Sequence, residues 1–189
     1  MKMSAVLFAL AALAPGLAVV GPAAAGPTVV VSPQPLPIDS ARPRVFLGGS
    51  IDMGGAPDWQ AALTAALGDM DVTILNPRRP DWNPAWRPEA DEPEFRRQVE
   101  WELAALESAD VIVMYFAPGT QSPISLLEMG LHARGGKLIV LAPEGFWRKG
   151  NVDITARVYG VRQVQAMDEL TAAVRQALSN AAAKGRFAR

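Results

Sequence analysis

The sequence contains no cysteine, one histidine and no surplus of basic residues. Without cysteine, the 189-residue chain has no disulfide scaffold, no thiolate nucleophile and no cysteine-ligated zinc or iron–sulfur site. The 18 lysines and arginines balance the 19 aspartates and glutamates, so the basic footprint of a protein that binds a nucleic acid polymer is missing. The single His132 lies one helical turn after Glu128, and two such ligands make no metal site, so we expect no metal.

Several nucleotide-binding and hydrolase motifs are also missing. The turn at Gly48, Gly49 and Ser50 is not a complete dinucleotide-binding fingerprint, because the next glycine pair, at 54–55, comes too late and no acidic residue follows Leu75. The sequence contains neither a phosphate-binding P-loop nor the G-x-S-x-G turn of serine hydrolases. We still expect the turn at 48–50 to lie close to a ligand, since backbone amides beside glycine can approach a ligand closely.

Half of the residues are hydrophobic, and part of that excess lies at the start of the chain. Lys2, an apolar run over residues 5–20 and small residues up to Ala25 predict a secretory signal peptide over residues 1–25. Pro15 interrupts the run, which is shorter than the roughly 20 residues of a membrane span, so no stable membrane anchor is expected. A cleaved leader predicts a secreted or periplasmic protein. The alternative is a disordered extension on a cytoplasmic one.

The remaining sequence alternates short apolar runs with amphipathic segments. Strands are predicted at 45–47, 72–75, 111–116, 138–141 and 158–164, and helices at 59–67, 92–107, 123–133 and 168–183. This alternation predicts one α/β domain over residues 26–183 and a basic tail at 184–189. We expect a Rossmann-like or flavodoxin-like fold, with about five mostly parallel strands and helices on both faces. Ligands bind such sheets beyond the carboxyl ends of the strands, which here are the loops 48–55, 76–91, 117–125 and 143–153.

Two glutamates lie within apolar stretches of predicted helices. Glu102 falls in the helical stripe of Val99 and Leu106, with Gln98 one turn before it, and Glu128 lies in a helix that is apolar almost all round. A carboxylate in such surroundings is costly unless it is paired or hydrogen-bonded. Beside a ligand-binding loop, a poorly solvated carboxylate suits nucleophilic attack on an anomeric carbon. The alternative is that each glutamate pairs with a nearby arginine.

A series of short segments carries a family resemblance. In order, they are Val45-Phe46-Leu47-Gly48-Gly49-Ser50-Ile51, Trp59-Gln60, Asn76-Pro77-Arg78-Arg79, Gln98-Val99-Glu100-Trp101-Glu102, Ala109-Asp110-Val111-Ile112, Thr120-Gln121-Ser122-Pro123-Ile124-Ser125-Leu126-Leu127-Glu128-Met129-Gly130 and Phe146-Trp147-Arg148-Lys149-Gly150-Asn151-Val152-Asp153. From about residue 28 to 178 the chain resembles the nucleoside 2-deoxyribosyltransferase superfamily, specifically its nucleoside 2-deoxyribosyltransferase-like branch.

The resemblance implies an enzyme that breaks and remakes the N-glycosidic bonds of nucleosides or nucleotides. In that family a glutamate on the helix after the third strand attacks C1′ and forms a covalent ribosyl-enzyme, with overall retention, and Glu128 matches it. An acidic residue on the preceding helix positions the sugar or the nucleophile, and Glu102 matches that one. The acceptor is water or a free base, no cofactor is required, and a homo-oligomer is expected by resemblance alone.

The remaining site residues are expected near the pocket as binding groups. They are Gly48, Gly49, Ser50, Asn76, Arg78, Gln98, Asp110, Gln121 and Ser122. Segments 76–79 and 148–149 are expected either to accommodate a phosphate or to be ordinary polar loops. Trp59, Trp101 and Trp147 are expected either to stack on a base or to pack in the core.

The chain departs from the better-known transferases at two places. Phe46 stands where they carry a first-strand tyrosine, and Gln121 and Ser122 stand where they carry an aspartate two turns before the nucleophile. These departures leave a hydrolase, a different leaving group or a modified sugar open. Two further alternatives are a catalytically reduced nucleotide-binding or sensing module and an NAD-type glycohydrolase.

Overall fold

The structure, a computed structural model, describes residues 26–38, 41–51 and 57–187. The predicted leader, the glycine pair at 54–55 and the last two residues of the predicted tail lie outside the described residues. The strands are β1 (Thr28–Val31), β2 (Arg44–Gly49), β3 (Thr73–Asn76), β4 (Val111–Tyr115), β5 (Leu138–Leu141) and β6 (Arg162–Val164). The helices are α1 (Trp59–Ala66), α2 (Pro93–Ser108), α3 (Pro123–His132), α4 (Lys149–Tyr159) and α5 (Met167–Phe187).

The six strands form one parallel sheet in the order β1-β3-β2-β4-β5-β6. From β2 onward this is the flavodoxin-like order, in which the first strand of the series is flanked by the second and the third. The predicted α/β class and parallel sheet are confirmed. The sheet has one strand more than the predicted five because β1 pairs along the outer edge of β3.

The helices cover both faces of the sheet. Helices α1 and α5 pack on one face, where Leu63 and Leu170 join the inward side chains of β2 and β4. Helices α2, α3 and α4 pack on the other face, where Trp101 and Met129 meet Phe46. Because both faces are buried, the central strands are continuous apolar runs rather than alternating ones.

The region 149–164 corrects two sequence-based predictions. The predicted strand 158–164 begins only at Arg162, because Val158 and Tyr159 form the last turn of α4. Gly160 closes that helix in the left-handed conformation, and its amide donates to the Ala156 carbonyl. Residues 149–153, predicted as loop, form the first turn of α4.

The structure also bears on membrane association. Within the described ranges, no helix combines the length and the apolar character that crossing a bilayer requires.

Candidate functional site

The carboxyl ends of β2 and β4 meet at the point where the strand order reverses. Strand β2 has β3 on one side and β4 on the other, and the helices that follow β2 and β4 leave toward opposite faces. Such a topological switch point opens a crevice at the carboxyl edge of the sheet. Ser50 directly follows β2, while Thr120 and Ser122 lie between β4 and α3.

Three hydroxyl groups lie together in this crevice and form what we call the hydroxyl cluster, Ser50, Thr120 and Ser122. The Ser50 Oγ is 2.6 Å from the Thr120 Oγ1 and 2.7 Å from the Ser122 Oγ. It also accepts a hydrogen bond of 2.8 Å from the Ala117 amide, and the Thr120 hydroxyl donates to the Ala117 carbonyl at 2.8 Å. These bonds tie the loop after β4 to the end of β2.

Gly49 explains how the two strand ends come so close. Its φ is +133°, and a Cβ at this position would overlap the Tyr115 carbonyl oxygen and amide nitrogen of β4. The close approach predicted for this turn is therefore made to the neighbouring strand. Trp59 at the start of α1 donates from its indole nitrogen to the Ser50 carbonyl at 3.0 Å, which holds the turn from the other side.

Helix α3 carries the buried carboxyl group of Glu128. Ser122, Ser125 and Glu128 follow at three-residue spacing, so they share one side of the helix. Glu128 is only 7% exposed, and among the described residues no side chain makes a hydrogen bond or an ion pair with its carboxyl group. Burial, with the negative charge of Glu102 on α2 as a second cause, raises the pKa of Glu128 to about 8.

Helix α2 presents Glu102 toward the same interior. Burial raises the pKa of Glu102 to about 7, and a hydrogen bond of 2.8 Å from the Gln98 amide to its Oε1 partly opposes that rise. Across the described parts of the chain, neither Glu102 nor Glu128 pairs with an arginine, so the alternative of simple ion pairs does not hold there. The two residues form an acid pair on neighbouring helices.

The basic residues expected to hold a phosphate already have partners. Arg79, whose side chain is 3% exposed, binds Asp81 and Glu94 at 2.9 and 3.1 Å. Lys149 is paired with Asp153 at 2.7 Å. Of the two interpretations of these segments, the structure therefore favours ordinary ion pairs over a phosphate site at Arg79 and Lys149.

Arg78 is less fully engaged, and Asn76 has a local role. The Arg78 guanidinium lies 3.4 Å from the Gln60 Oε1 and 3.7 Å from a carboxylate oxygen of Asp58. The Asn76 side chain accepts from the Arg78 amide at 3.0 Å and so shapes the turn after β3. A groove of about 510 Å³ opens here, with Arg78 and Ser32 in its wall.

Of the predicted binding residues, Asp110 is placed apart from the hydroxyl cluster, and Gln121, between Thr120 and Ser122, is exposed to solvent. Asp110 precedes β4, and its carboxylate accepts from the Arg44 amide at the start of β2. With about 3.3 Å per strand residue, Asp110 is roughly 16 Å from the carboxyl edge, so the structure does not bring it to the crevice. Gln121 is exposed, and its carbonyl accepts from the Trp147 indole at 3.0 Å.

The three tryptophans have different environments. Trp59 is 3% exposed and meets the Tyr115 ring edge-on at 5.6 Å, and Trp101 is 8% exposed. Both pack in the core. Trp147 is 54% exposed, with the Arg148 guanidinium 4.0 Å from the centre of its ring. Of the three, Trp147 alone offers a ring face at the surface, beside a groove of about 300 Å³ between α3 and α4.

Sequence reasoning missed three residues that the structure brings to this region. Thr120 belongs to the hydroxyl cluster, Ser125 is buried one turn before Glu128, and Ser32 bonds to Gln98. Thr120 and Ser125 lie in a segment already quoted for the family resemblance, so closer attention to its hydroxyl groups would have found them. Ser32 follows a four-residue strand in a proline-rich segment and carries no comparable signal.

Within the described residues, no group of three or more histidine, aspartate or glutamate side chains could hold a metal ion.

Comparison with known proteins identifies the family. The family model described as nucleoside 2-deoxyribosyltransferase like matches residues 42–146, which is more than half of the 189 residues. The chain belongs to this family. A conserved protein from Enterococcus faecalis V583 has a similar fold, with a TM-score of 0.51 and 12% sequence identity over 71% of this chain and 98% of that chain. Among curated proteins, none matches the sequence.

Membership of a nucleoside 2-deoxyribosyltransferase-like family indicates glycosyl transfer or hydrolysis with nucleoside substrates. The matched region contains the hydroxyl cluster and both members of the acid pair. It ends before α4 and begins after β1.

Proposed function

We propose that the protein cleaves, or transfers a sugar at, the N-glycosidic bond of a (deoxy)nucleoside or nucleotide. Glu128 is the nucleophile of this reaction and Glu102 its carboxyl partner. The observation that carries the proposal is the acid pair itself, because one buried and one half-buried carboxyl group with raised pKa values and no cationic partner among the described residues are costly to folding. A role in chemistry explains why a chain keeps them.

The proposed reaction proceeds by two substitutions at C1′. In the first, a Glu128 carboxylate oxygen forms a bond to C1′ while the bond from C1′ to the base nitrogen breaks, and its electron pair leaves with the base. In the second, water or a second base attacks C1′ while its proton passes to the Glu102 carboxylate, and the ester bond to Glu128 breaks, which restores the Glu128 carboxylate. The first base, which left as an anion, takes its proton from the solvent. Two inversions give overall retention.

The acid pair supplies a place for the proton that this chemistry moves. Because the pKa values lie near 7 and 8, the pair holds one proton just above neutral pH. The hydrogen bond from Gln98 favours the ionised form of Glu102. Above about pH 8 Glu128 is ionised and can attack, and the ionised Glu102 beside it is suited to accept the proton of the water that enters in the second substitution.

The test is release of free base from a panel of nucleosides, deoxynucleosides and their monophosphates. We expect Glu128→Gln to lower the rate at least about 10³-fold, since an amide is a poor nucleophile. Glu100→Gln is the matched control, because Glu100 is exposed on α2. Wild-type rates in Glu128→Gln would contradict the assignment of the nucleophile.

A second candidate is a nucleotide-binding or sensing module with reduced turnover. The observation that favours it is Ser122, which stands where the better-known transferases carry an aspartate and bonds within the hydroxyl cluster. Thermal stabilisation by a nucleotide with no product would select this candidate. Nicotinamide release from NAD, with no reaction on nucleosides, would select an NAD-type glycohydrolase instead.

A further inference from the structure

The segment around β1 lies outside the region that matches the family, yet it contacts α2, the helix that carries Glu102. Ser32 follows β1 and is only 2% exposed. Its hydroxyl donates to the Gln98 Oε1 at 2.6 Å, and its amide donates to the Asn76 carbonyl at 3.0 Å. Two residues further on, the Gln34 carbonyl accepts from the Trp101 indole at 2.7 Å. The segment is therefore fixed to α2 by two side chains that precede Glu102.

The contacts of Gln98 define the orientation of its amide group. Its Nε2 lies 2.9 Å from the Pro77 carbonyl, which can only accept, so this end of the amide must be the donor. The second hydrogen of the same nitrogen is donated to Glu102 at 2.8 Å. The oxygen of the amide accepts from Ser32. Every donor of the Gln98 amide is used, and its oxygen has a donor of its own.

This arrangement distinguishes the two oxygens of the Glu102 carboxyl group. Because Oε1 accepts the hydrogen bond from Gln98, it is the carbonyl-like oxygen, and a proton on Glu102 is held by Oε2. On α3, the charged group that interacts with Glu102 is Glu128. The guanidinium of Arg78, which follows β3, has Gln60 and Asp58 as its partners, at 3.4 and 3.7 Å. Gln98 is thus the hydrogen-bond donor that the described residues provide for Glu102.

We propose that Ser32 and Gln98 are positioning residues that hold the Glu102 carboxyl group in place for its partnership with Glu128. Ser32 fixes the amide oxygen of Gln98, and Gln98 presents its N–H group to Glu102. The segment around β1 therefore contributes a positioning residue to the site, although the family match begins after it. The consequence for turnover rests on the proposed function, whereas the positioning itself is independent of any substrate.

The test is a titration of the glutamate side-chain carboxyl carbons by NMR in the full chain. Spectra of Glu102→Gln and Glu128→Gln assign the two signals. Ser32→Ala is expected to raise the pKa of Glu102 by about half a unit, and Gln98→Met by about one unit, because each weakens a hydrogen bond that favours the ionised form. Ser108→Ala is the matched control, since the Ser108 hydroxyl donates to the Ala105 carbonyl at the far end of α2 and, among the described residues, to no other group.

Ser32→Cys is a second variant of similar volume with a weak donor, and its shift is expected in the same direction. If the pKa of Glu102 in Ser32→Ala and Ser32→Cys equals its pKa in Ser108→Ala, the proposed role of Ser32 is overturned. An unshifted pKa of Glu102 in Gln98→Met would overturn the positioning roles of both Gln98 and Ser32. These outcomes do not depend on finding a substrate, so they are distinct from failure of the proposed function. With a substrate in hand, Ser32→Ala should lower kcat several-fold and leave KM unchanged, whereas loss of a substrate contact would raise KM.

Discussion

The carboxyl group of Glu102 on α2 lies near enough to Glu128 on α3 for its negative charge to raise the pKa of Glu128. Burial has the same effect on both groups, and among the described residues no cation opposes it. The two carboxyl groups therefore titrate as a coupled pair, and apparent pKa values measured in solution belong to the pair. The pH dependence of activity and of the free energy of unfolding therefore both test whether the two carboxyl groups are coupled.

The first prediction concerns the pH dependence of kcat/KM for base release. The rate should fall as the pH is lowered through about 8, because Glu128 must be ionised to attack and its carboxyl group gains a proton there. Glu102→Gln removes the neighbouring negative charge and should move this limb about one unit toward lower pH. A limb near pH 4.5 in the wild type, where an ordinary glutamate titrates, would contradict the role of the pair.

The second prediction concerns stability and follows from the same raised pKa. Between about pH 4.5 and 8 the folded state holds a proton on Glu128 that the unfolded chain has lost, so the free energy of unfolding decreases as the pH rises through that window. Glu128→Gln removes this loss and should be more stable than the wild type at pH 9, by on the order of 2 kcal/mol. At pH 4 the two should agree. Urea unfolding at both pH values measures the difference, with Glu100→Gln as a control that should resemble the wild type throughout.

The third prediction concerns the turn after β2. Gly49→Ala should destabilise the fold by several kcal/mol, because φ is +133° and the added Cβ would overlap the backbone of Tyr115. Gly150→Ala is the matched control, since a Cβ at this position of α4 meets nothing within 4 Å and alanine favours a helix. Thermal unfolding of the two variants measures the contrast. Equal melting temperatures would contradict the described contact between β2 and β4.

The fourth prediction concerns the loop between β3 and α2. Arg79 binds Asp81 and Glu94, and its guanidinium lies 4.8 Å from the centre of the Trp86 ring. Arg79→Met should loosen the loop and increase amide hydrogen exchange there, because the two ion pairs and the contact with the ring are lost together. Arg87→Met is the control, since Arg87 is 54% exposed and its pairs with acidic residues are at the surface. Equal exchange in the two variants would contradict the anchoring role of Arg79.

The fold was predictable where long apolar runs and strong helical periodicity coincide. Strand β4 and helix α2 were predicted nearly to their ends, and the strand–helix alternation was enough for the α/β class. Strand β1 was missed because four residues before a proline-rich stretch give a weak pattern. Helix α4 was mistaken for a loop and part of a strand, because its Val158 and Tyr159 face solvent and give no inward stripe.

The candidate site was predictable in part. Glu102 and Glu128 were singled out because a carboxylate in an apolar helix is conspicuous in a sequence. The hydrogen bond from Ser32 to Gln98 spans 66 residues, and such a contact leaves no periodic signal. Asp110 was expected near the crevice, but it comes before its strand rather than after it, and in a parallel sheet that difference sets the edge on which a residue lies. The leader, the homo-oligomer and the place of the protein outside the cell or in the periplasm stay predictions.

The most direct test of the central claim is mass spectrometry of the intact protein after exposure to a panel of 2-fluoro-2-deoxynucleosides, followed by peptide mapping. A fluorinated sugar slows release of the covalent intermediate, so the adduct should accumulate. We predict an added mass equal to the fluorinated sugar on the peptide that contains Glu128, and no adduct with Glu128→Gln. An adduct on another residue, or release of the base at the wild-type rate by Glu128→Gln, would contradict the account.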